Sequence, residues 1–313
     1  MPSAGTCLVT GPYGFVGRNV VRRFAEDGFR VVGAGRLEPV DDVPVDSLLA
    51  RFERLELPDP CLAELVAEER PDVVVHAAGP ASVPFSMAEP VADFTGATGP
   101  WISLLDAVRL NSPDSRVLLV SSAGVYGNPV SLPVAEDAPI APVSPYGFHR
   151  AVCESLGREY ASVFGVRVAV ARVFSAYGPG LRKQVVWDIA EKAASGDGVR
   201  LFGTGAEARD FVHVSDVAGA LRTIAQRGDF AGEAYNVATG TETSIREVAE
   251  RVVGCVAPGT PVEFDGATRE GDPVAWRADV SKLARLGFTP TIPLEDGLAG
   301  VCEWYLSAGR SRA

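Results

Sequence analysis

The chain is poor in the residues that build metal sites and disulfide frameworks. Its 313 residues include five cysteines, Cys7, Cys61, Cys153, Cys255 and Cys302, scattered without a CxxC pair and odd in number. Only three histidines are present, His76, His149 and His213, far apart along the chain. This excludes a disulfide scaffold, argues against zinc, and leads us to expect a reducing cytoplasmic compartment. Lysine is scarce too: Lys183, Lys192 and Lys282 are the only three, and no basic cluster stands outside "GLRKQ". With a formal net charge of −11, a nucleic-acid or anionic-membrane partner is not expected. No apolar run approaches the ~18 residues of a membrane span. "MPSAGTCLVTG" runs straight into a strand, without the charged and apolar regions of a signal peptide.

Apolar residues, in contrast, make up 47% of the chain, enough for a large core. "TCLVT", "RVVGA", "DVVVHAA", "RVLLVSS" and "RVAVARV" are near-continuous apolar runs separated by helix-length segments. Such runs predict parallel strands covered on both faces. Val16, Val20 and Phe24 form one stripe of a helix that stops before Gly28, which makes the opening unit β-α-β. The expected fold is α/β, a Rossmann-type doubly wound parallel sheet over residues 1–180 with a segment near 210–240 returning to it. Residues 181–313, where helices alternate with short strands, are expected to form mainly a smaller C-terminal substrate-binding lobe.

Gly11, Gly14 and Gly17 in "TGPYGFVGR" lie between the first strand and the first helix. Glycines there allow a tight turn and bring backbone N–H groups and the helix N-terminus to a pyrophosphate. The cofactor candidates are Gly11, Tyr13, Gly14, Phe15, Val16 and Gly17, with Ala77, Ala78 and Gly79 after the "VVVH" strand. At the end of the second strand Gly35 stands where an acid would hold the ribose of NAD, and Arg36 follows. An arginine there suits a 2′-phosphate, so NADP(H) is favoured over NAD(H).

Ser122 ends the "RVLLVSS" strand, where open α/β sheets bind ligands. Tyr146 and Arg150 in "SPYGFHR" are an i, i+4 pair on one helix face. Hydride transfer at a carbinol carbon needs a proton acceptor and donor on the oxygen, and a tyrosine beside a fixed cation suits that work.

In their order, "TGPYGFVG", "PDVVVHAAG", "VSSAGVYG", "SPYGFHR", "ARVFSAYGPG", "GTGAEARDFVHVSDVAGA", "AYNVATG" and "REGDPVAWRADVSKLARLGF" resemble the extended short-chain dehydrogenase/reductases that modify nucleotide sugars. The resemblance implies Tyr146 as acid/base, Ser122 as hydrogen-bond partner of the reacting hydroxyl, and a nucleotide diphosphate sugar as substrate. It adds Ser82, Ser175, Lys183, Arg209 and Arg269 as substrate contacts, with the two arginines on the diphosphate. It also implies a homodimer built through helices that include the one bearing Tyr146. His76 lines the cofactor side and is expected to pack; His149 is expected to be structural or exposed.

The chain departs from the family at several positions. The lysine beside the tyrosine is Arg150, which keeps the charge but cannot release a proton at ordinary pH. Ala123 and Gly124 replace the acid that dehydratases carry, Ser175 replaces an asparagine, and Ala97 replaces the structural asparagine. Three functions remain. An NADPH-dependent 4-ketoreductase is the leading expectation, on Gly35, Arg36 and the missing acid. A 4-epimerase holding NAD tightly is the alternative. A non-catalytic NAD(P)-binding regulator is the third.

Overall fold

The computed structural model describes residues 4–36, 45–196, 198–267 and 274–309. Strands β1 (Thr6–Thr10), β2 (Arg30–Gly35), β3 (Leu49–Arg54), β4 (Val73–His76), β5 (Arg116–Ser122) and β6 (Arg167–Val173) alternate with helices. Three short strands follow, β7 (Ser175–Tyr177), β8 (Val199–Leu201) and β9 (Ala208–His213), then β10 (Ala231–Val237), β11 (Glu242–Ser244) and β12 (Val262–Phe264). The helices are α1 (Phe15–Glu26), α2 (Cys61–Glu69), α3 (Val83–Ala88), α4 (Pro90–Asn111) and α5 (Pro145–Phe164). After them come α6 (Gln184–Ser195), α7 (Val214–Arg227), α8 (Ile245–Val256), α9 (Ser281–Arg285) and α10 (Leu294–Trp304).

Seven parallel strands form the main sheet in the order β10-β6-β5-β4-β1-β2-β3. The Rossmann-type fold expected from the apolar runs is the fold observed. Val20 and Phe24 of α1 pack with Leu221 and Ile224 of α7 on one face, and Trp101, Leu104 and Tyr160 of α4 and α5 cover the other. The winding order reverses between β1 and β4, the point where open α/β sheets of this kind bind ligands at the strands' carboxyl ends. The antiparallel and parallel pairings of β11-β9-β7 and the pair β12-β8 belong to a second cluster, where Ile189, Val248, Val252 and Val301 of α6, α8 and α10 meet Phe211.

One element differs from the sequence expectation for a physical reason. β3 is an edge strand whose Arg51 pairs with Glu53, Glu68 and Glu69, so its residues read as charged rather than apolar. The unusual "FTGATGPW" does not break α4, which runs through Pro100. Gly96 in that stretch permits close approach, since a β-carbon there would lie 3.2 Å from the Pro80 ring.

Candidate active site

The glycine loop is closed by backbone contacts. Gly11 has φ +72°, and a β-carbon on it would lie 3.0 Å from the Ala78 N and Cα. A β-carbon on Gly17 would lie 2.0 Å from the Gly11 oxygen, so α1 can start against the turn only with glycine there. Gly14 caps α1 without a side chain, and Phe15 and Val16 open its first turn. The cradle fits a dinucleotide pyrophosphate on chemistry and space: small residues from the β1 and β4 ends face one uncapped helix N-terminus. Tyr13 offers only its backbone, because its ring packs edge-on against Phe52 and its hydroxyl donates to Asp46. Gly35 lies against Gly11, 3.4 Å from the Gly11 nitrogen to a β-carbon position, and Arg36 after it is exposed.

Ser122, at the end of β5, accepts from the Gly124 N–H at 3.1 Å and so starts a 3-10 turn, Ala123–Tyr126. Ser144 caps α5 by accepting from Gly147 N at 3.3 Å, with Pro145 in the first helical position. The turn and the helix meet at Gly124. A β-carbon there would be 3.4 Å from Ser122 Oγ and 3.6 Å from the Tyr146 ring. The fold thus brings Ser122 and Tyr146 together, as the family resemblance implies, and leaves Ala123 buried and Gly124 bare between them.

Arg150 is 6% exposed. One Nη donates to the Pro80 oxygen and the other to the Val120 oxygen at 3.5 Å, while the guanidinium lies 5.3 Å from the centre of the Tyr146 ring. Gly79, with φ +122°, leaves room for it: a β-carbon there would be 3.5 Å from Arg150 Nη2 and 3.9 Å from Ala97 Cα. His76 is buried behind it, bonded through Nδ1 to Thr10 Oγ1 at 2.8 Å and packed beside Trp101. Burial, with Arg150 adding to it, pushes His76 down to about 3, so it is neutral. His149 pairs with Asp93 at 2.6 Å, away from the cleft residues.

The remaining substrate candidates lie on separate elements. Ser82 caps α3, accepting from Phe85 N at 3.2 Å. Lys183 reaches across from the start of α6 to the Ala81 oxygen at 2.8 Å, so it joins the second lobe to the β4 end. Ser175 opens β7 opposite Phe211 of β9. Arg209 donates to the Ala208 oxygen at 2.9 Å and stacks 5.5 Å from Trp276, whose indole N–H holds the Gly127 oxygen at 2.9 Å. Arg269 lies outside the described residues. Glu154 and Arg172, a buried pair beneath the site, are absent from the sequence expectations. The one signal for them is the four-residue spacing of Tyr146, Arg150 and Glu154 on α5.

With this geometry in place, the family can be stated. Residues 7–238 match the NAD dependent epimerase/dehydratase family. The chain belongs to that family, within the extended short-chain dehydrogenase/reductases. A UDP-glucose 4-epimerase of Mycolicibacterium smegmatis is 32% identical over 309 residues, 95% of this chain and 97% of that one. A dTDP-glucose 4,6-dehydratase of Xanthomonas campestris pv. campestris is 30% identical over 96% of this chain and 93% of that one. Among solved structures, the Thermus thermophilus UDP-glucose 4-epimerase complexed with NAD superposes with a TM-score of 0.88 at 27% identity, over 97% of this chain and 99% of that one. Among the described residues, no helix is long and apolar enough to cross a membrane.

Proposed function

We propose that this chain is a nucleotide-diphosphate-hexose 4-epimerase that keeps its dinucleotide through turnover. The 4-ketoreductase, placed first on sequence grounds, becomes the second reading. The observation that carries the choice is the setting of Arg150. An epimerase removes one proton and one hydride at the C4 carbinol and returns both, so each turnover is proton-neutral. A ketoreductase must draw one solvent proton per turnover through Tyr146. Behind Tyr146 stands a guanidinium that cannot give up a proton, its two Nη groups bonded to the Pro80 and Val120 oxygens, and the imidazole behind it, His76, is buried and neutral. A closed proton cycle suits that setting, and full-length likeness to 4-epimerases supports it.

In this reading Gly11, Gly14 and Gly17, Phe15 and Val16, the Tyr13 backbone and Ala77–Gly79 hold the dinucleotide. Its nicotinamide ring supplies, when bound, the reversible hydride acceptor for C4. Tyr146 takes the proton of the C4 hydroxyl and returns it to the same oxygen, and Ser122 hydrogen-bonds that oxygen. Arg150 stabilises negative charge on the phenolic oxygen and reaches toward the ribose side of the cofactor cleft. Ser82, Ser175, Lys183 and Arg209 face the nucleotide diphosphate sugar, with Arg209 on the phosphates. The residues before 180 and the returning α7–β10 segment serve the cofactor, and the rest of the C-terminal lobe serves the sugar nucleotide. Ala123 and Gly124 carry no carboxyl for eliminating water, which sets this chain apart from the dehydratases it also resembles.

One observation favours NADPH-dependent 4-ketoreduction: Gly35 and Arg36 leave the tip of β2 without a carboxylate and with a cation. A regulator without catalysis has no use for Ser122 and Tyr146 flanking the same point at Gly124. The two enzymes separate on stoichiometry. Heat-released supernatant from the purified protein is assayed for NAD and NADP, and UDP-glucose is incubated with the protein without added cofactor. Bound dinucleotide and formation of the C4 epimer are expected; net oxidation of added NADPH by a 4-keto sugar, without epimer, sinks the epimerase.

We also propose a homodimer through α4 and α5. Val91, Phe94 and Ile102 of α4 and Phe148 and Val152 of α5 are all exposed apolar residues on adjoining helices, with Val91 75% exposed. Five free thiols support a reducing, cytoplasmic setting.

A further inference from the structure

Tyr146, Arg150 and Glu154 occupy successive turns of one face of α5, and the deepest of them is charged. Glu154 is 0% exposed and Arg172 on β6 is 2% exposed. The Glu154 carboxylate accepts from Arg172 Nε at 3.1 Å and Nη2 at 2.8 Å, and from Ser121 Oγ at 2.7 Å. Arg172 Nη1 donates to the Tyr126 hydroxyl and to the Glu136 oxygen, both at 2.8 Å. Burial pushes the Tyr126 phenol up to about 12, which keeps it protonated. Its hydroxyl donates on to Asn236 Oδ1 of β10 at 2.7 Å.

A buried ion pair contributes little net stability, because desolvation offsets its attraction, and a well-packed apolar pair is often as stable. What it supplies is direction. Here the pair ties together the elements that carry the chemistry: β5 through Ser121, the immediate neighbour of Ser122; α5 through Glu154; and the Ala123–Tyr126 turn through Tyr126. The Ser121–Glu154 bond ties α5 directly to the residue beside Ser122, so its loss loosens the placement of Tyr146 relative to Ser122. Displacements of about 1 Å at reacting atoms cost up to ~10²-fold in rate.

We propose that Ser121, through the Glu154–Arg172 pair, is a positioning residue that sets the separation of Ser122 and Tyr146. It touches neither substrate nor cofactor in this account, and the proposal rests on the roles of Ser122 and Tyr146 given above. The test compares Ser121→Ala and Ser121→Thr in the full-length protein by steady-state C4 epimerisation of UDP-glucose, bound-dinucleotide content and thermal midpoint. Ser121→Ala is expected to lower kcat by about tenfold or more, with KM and dinucleotide content within about twofold of wild type. Ser121→Thr, which keeps the hydroxyl, is expected to restore kcat. Should Ser121→Ala not fold, Ser121→Cys, which keeps a side chain of similar size but only a weak donor to the Glu154 carboxylate, is expected to show the same kcat-specific loss. An active wild type with an unchanged kcat in Ser121→Ala, or a loss that only tracks the folded fraction, overturns the positioning role alone. A wild type that turns over no nucleotide sugar overturns the function and this role together.

Discussion

The ring of Tyr146 lies 3.6 Å from the point where a side chain at Gly124 would begin, and the Ser122 hydroxyl lies 3.4 Å from that same point. A bare glycine between the Ser122 hydroxyl and the edge of the Tyr146 ring leaves the room that a carbinol oxygen held by both side chains needs. Tyr146→Phe removes the proposed acid/base and only one atom, so turnover should fall by about 10²–10⁴-fold with the thermal midpoint unchanged. Ser122→Ala should cost less, about 10²-fold, since it removes a hydrogen bond and not the proton carrier. Steady-state kinetics on both variants check this; activity surviving Tyr146→Phe refutes the assignment.

Arg150 acts on two levels, through its charge beside Tyr146 and its bonds to the Pro80 and Val120 oxygens. Arg150→Met removes both and leaves buried carbonyls without their donor, which should destabilise the fold by about 1–3 kcal/mol and abolish turnover. Arg150→Lys keeps the charge and should retain part of the activity at a smaller stability loss. Urea unfolding and kcat measured together decide it, and an Arg150→Met protein as stable and active as wild type contradicts the role.

How much of this was legible beforehand follows residue chemistry. Strands β1, β2, β4, β5 and β6 are apolar along their length because both faces are covered, so each announces itself. β3 pairs at an edge and carries Arg51 and Glu53, which look like loop residues in one dimension. Tyr146 and Arg150 were visible from helical spacing. Glu154 and Arg172 were not, because a buried charge reads like a surface charge until its partner, here eighteen residues away on β6, is brought to it. Gly35 and Arg36 pointed to a reductase because cofactor choice can be read from a strand tip. Proton stoichiometry depends on what backs Tyr146, which only the fold brings together.

His76 gives a pH dependence with a definite sign. Its folded pKa is pushed down to about 3 by burial, while in the unfolded chain it protonates near its ordinary value of 6.5. The unfolded state therefore binds the extra proton between those values, and stability is full above pH 6.5 and falls as pH drops toward 3. From pH 7 to pH 5 this amounts to about 2 kcal/mol. His76→Asn, which keeps a polar atom for Thr10, should lose less thermal midpoint over that interval than wild type. Parallel losses in the two proteins contradict the argument.

The exposed apolar stripe on α4 and α5 predicts association. Phe148, 55% exposed, stands on it and away from the residues of the cleft. Phe148→Asp should convert a dimer into a monomer in light scattering after gel filtration, with the far-UV spectrum unchanged. A wild-type monomer at micromolar concentration contradicts the interface.

The central claim is that the hydride leaves C4 and the proton leaves its hydroxyl oxygen, and that both come back. UDP-glucose carrying deuterium at C4, incubated with the protein in ordinary water, tests it by mass spectrometry of the separated epimers. The account predicts that the C4 epimer forms with its deuterium retained and without net change in dinucleotide. Loss of the label to solvent or to soluble dinucleotide, or label-free product, would contradict it.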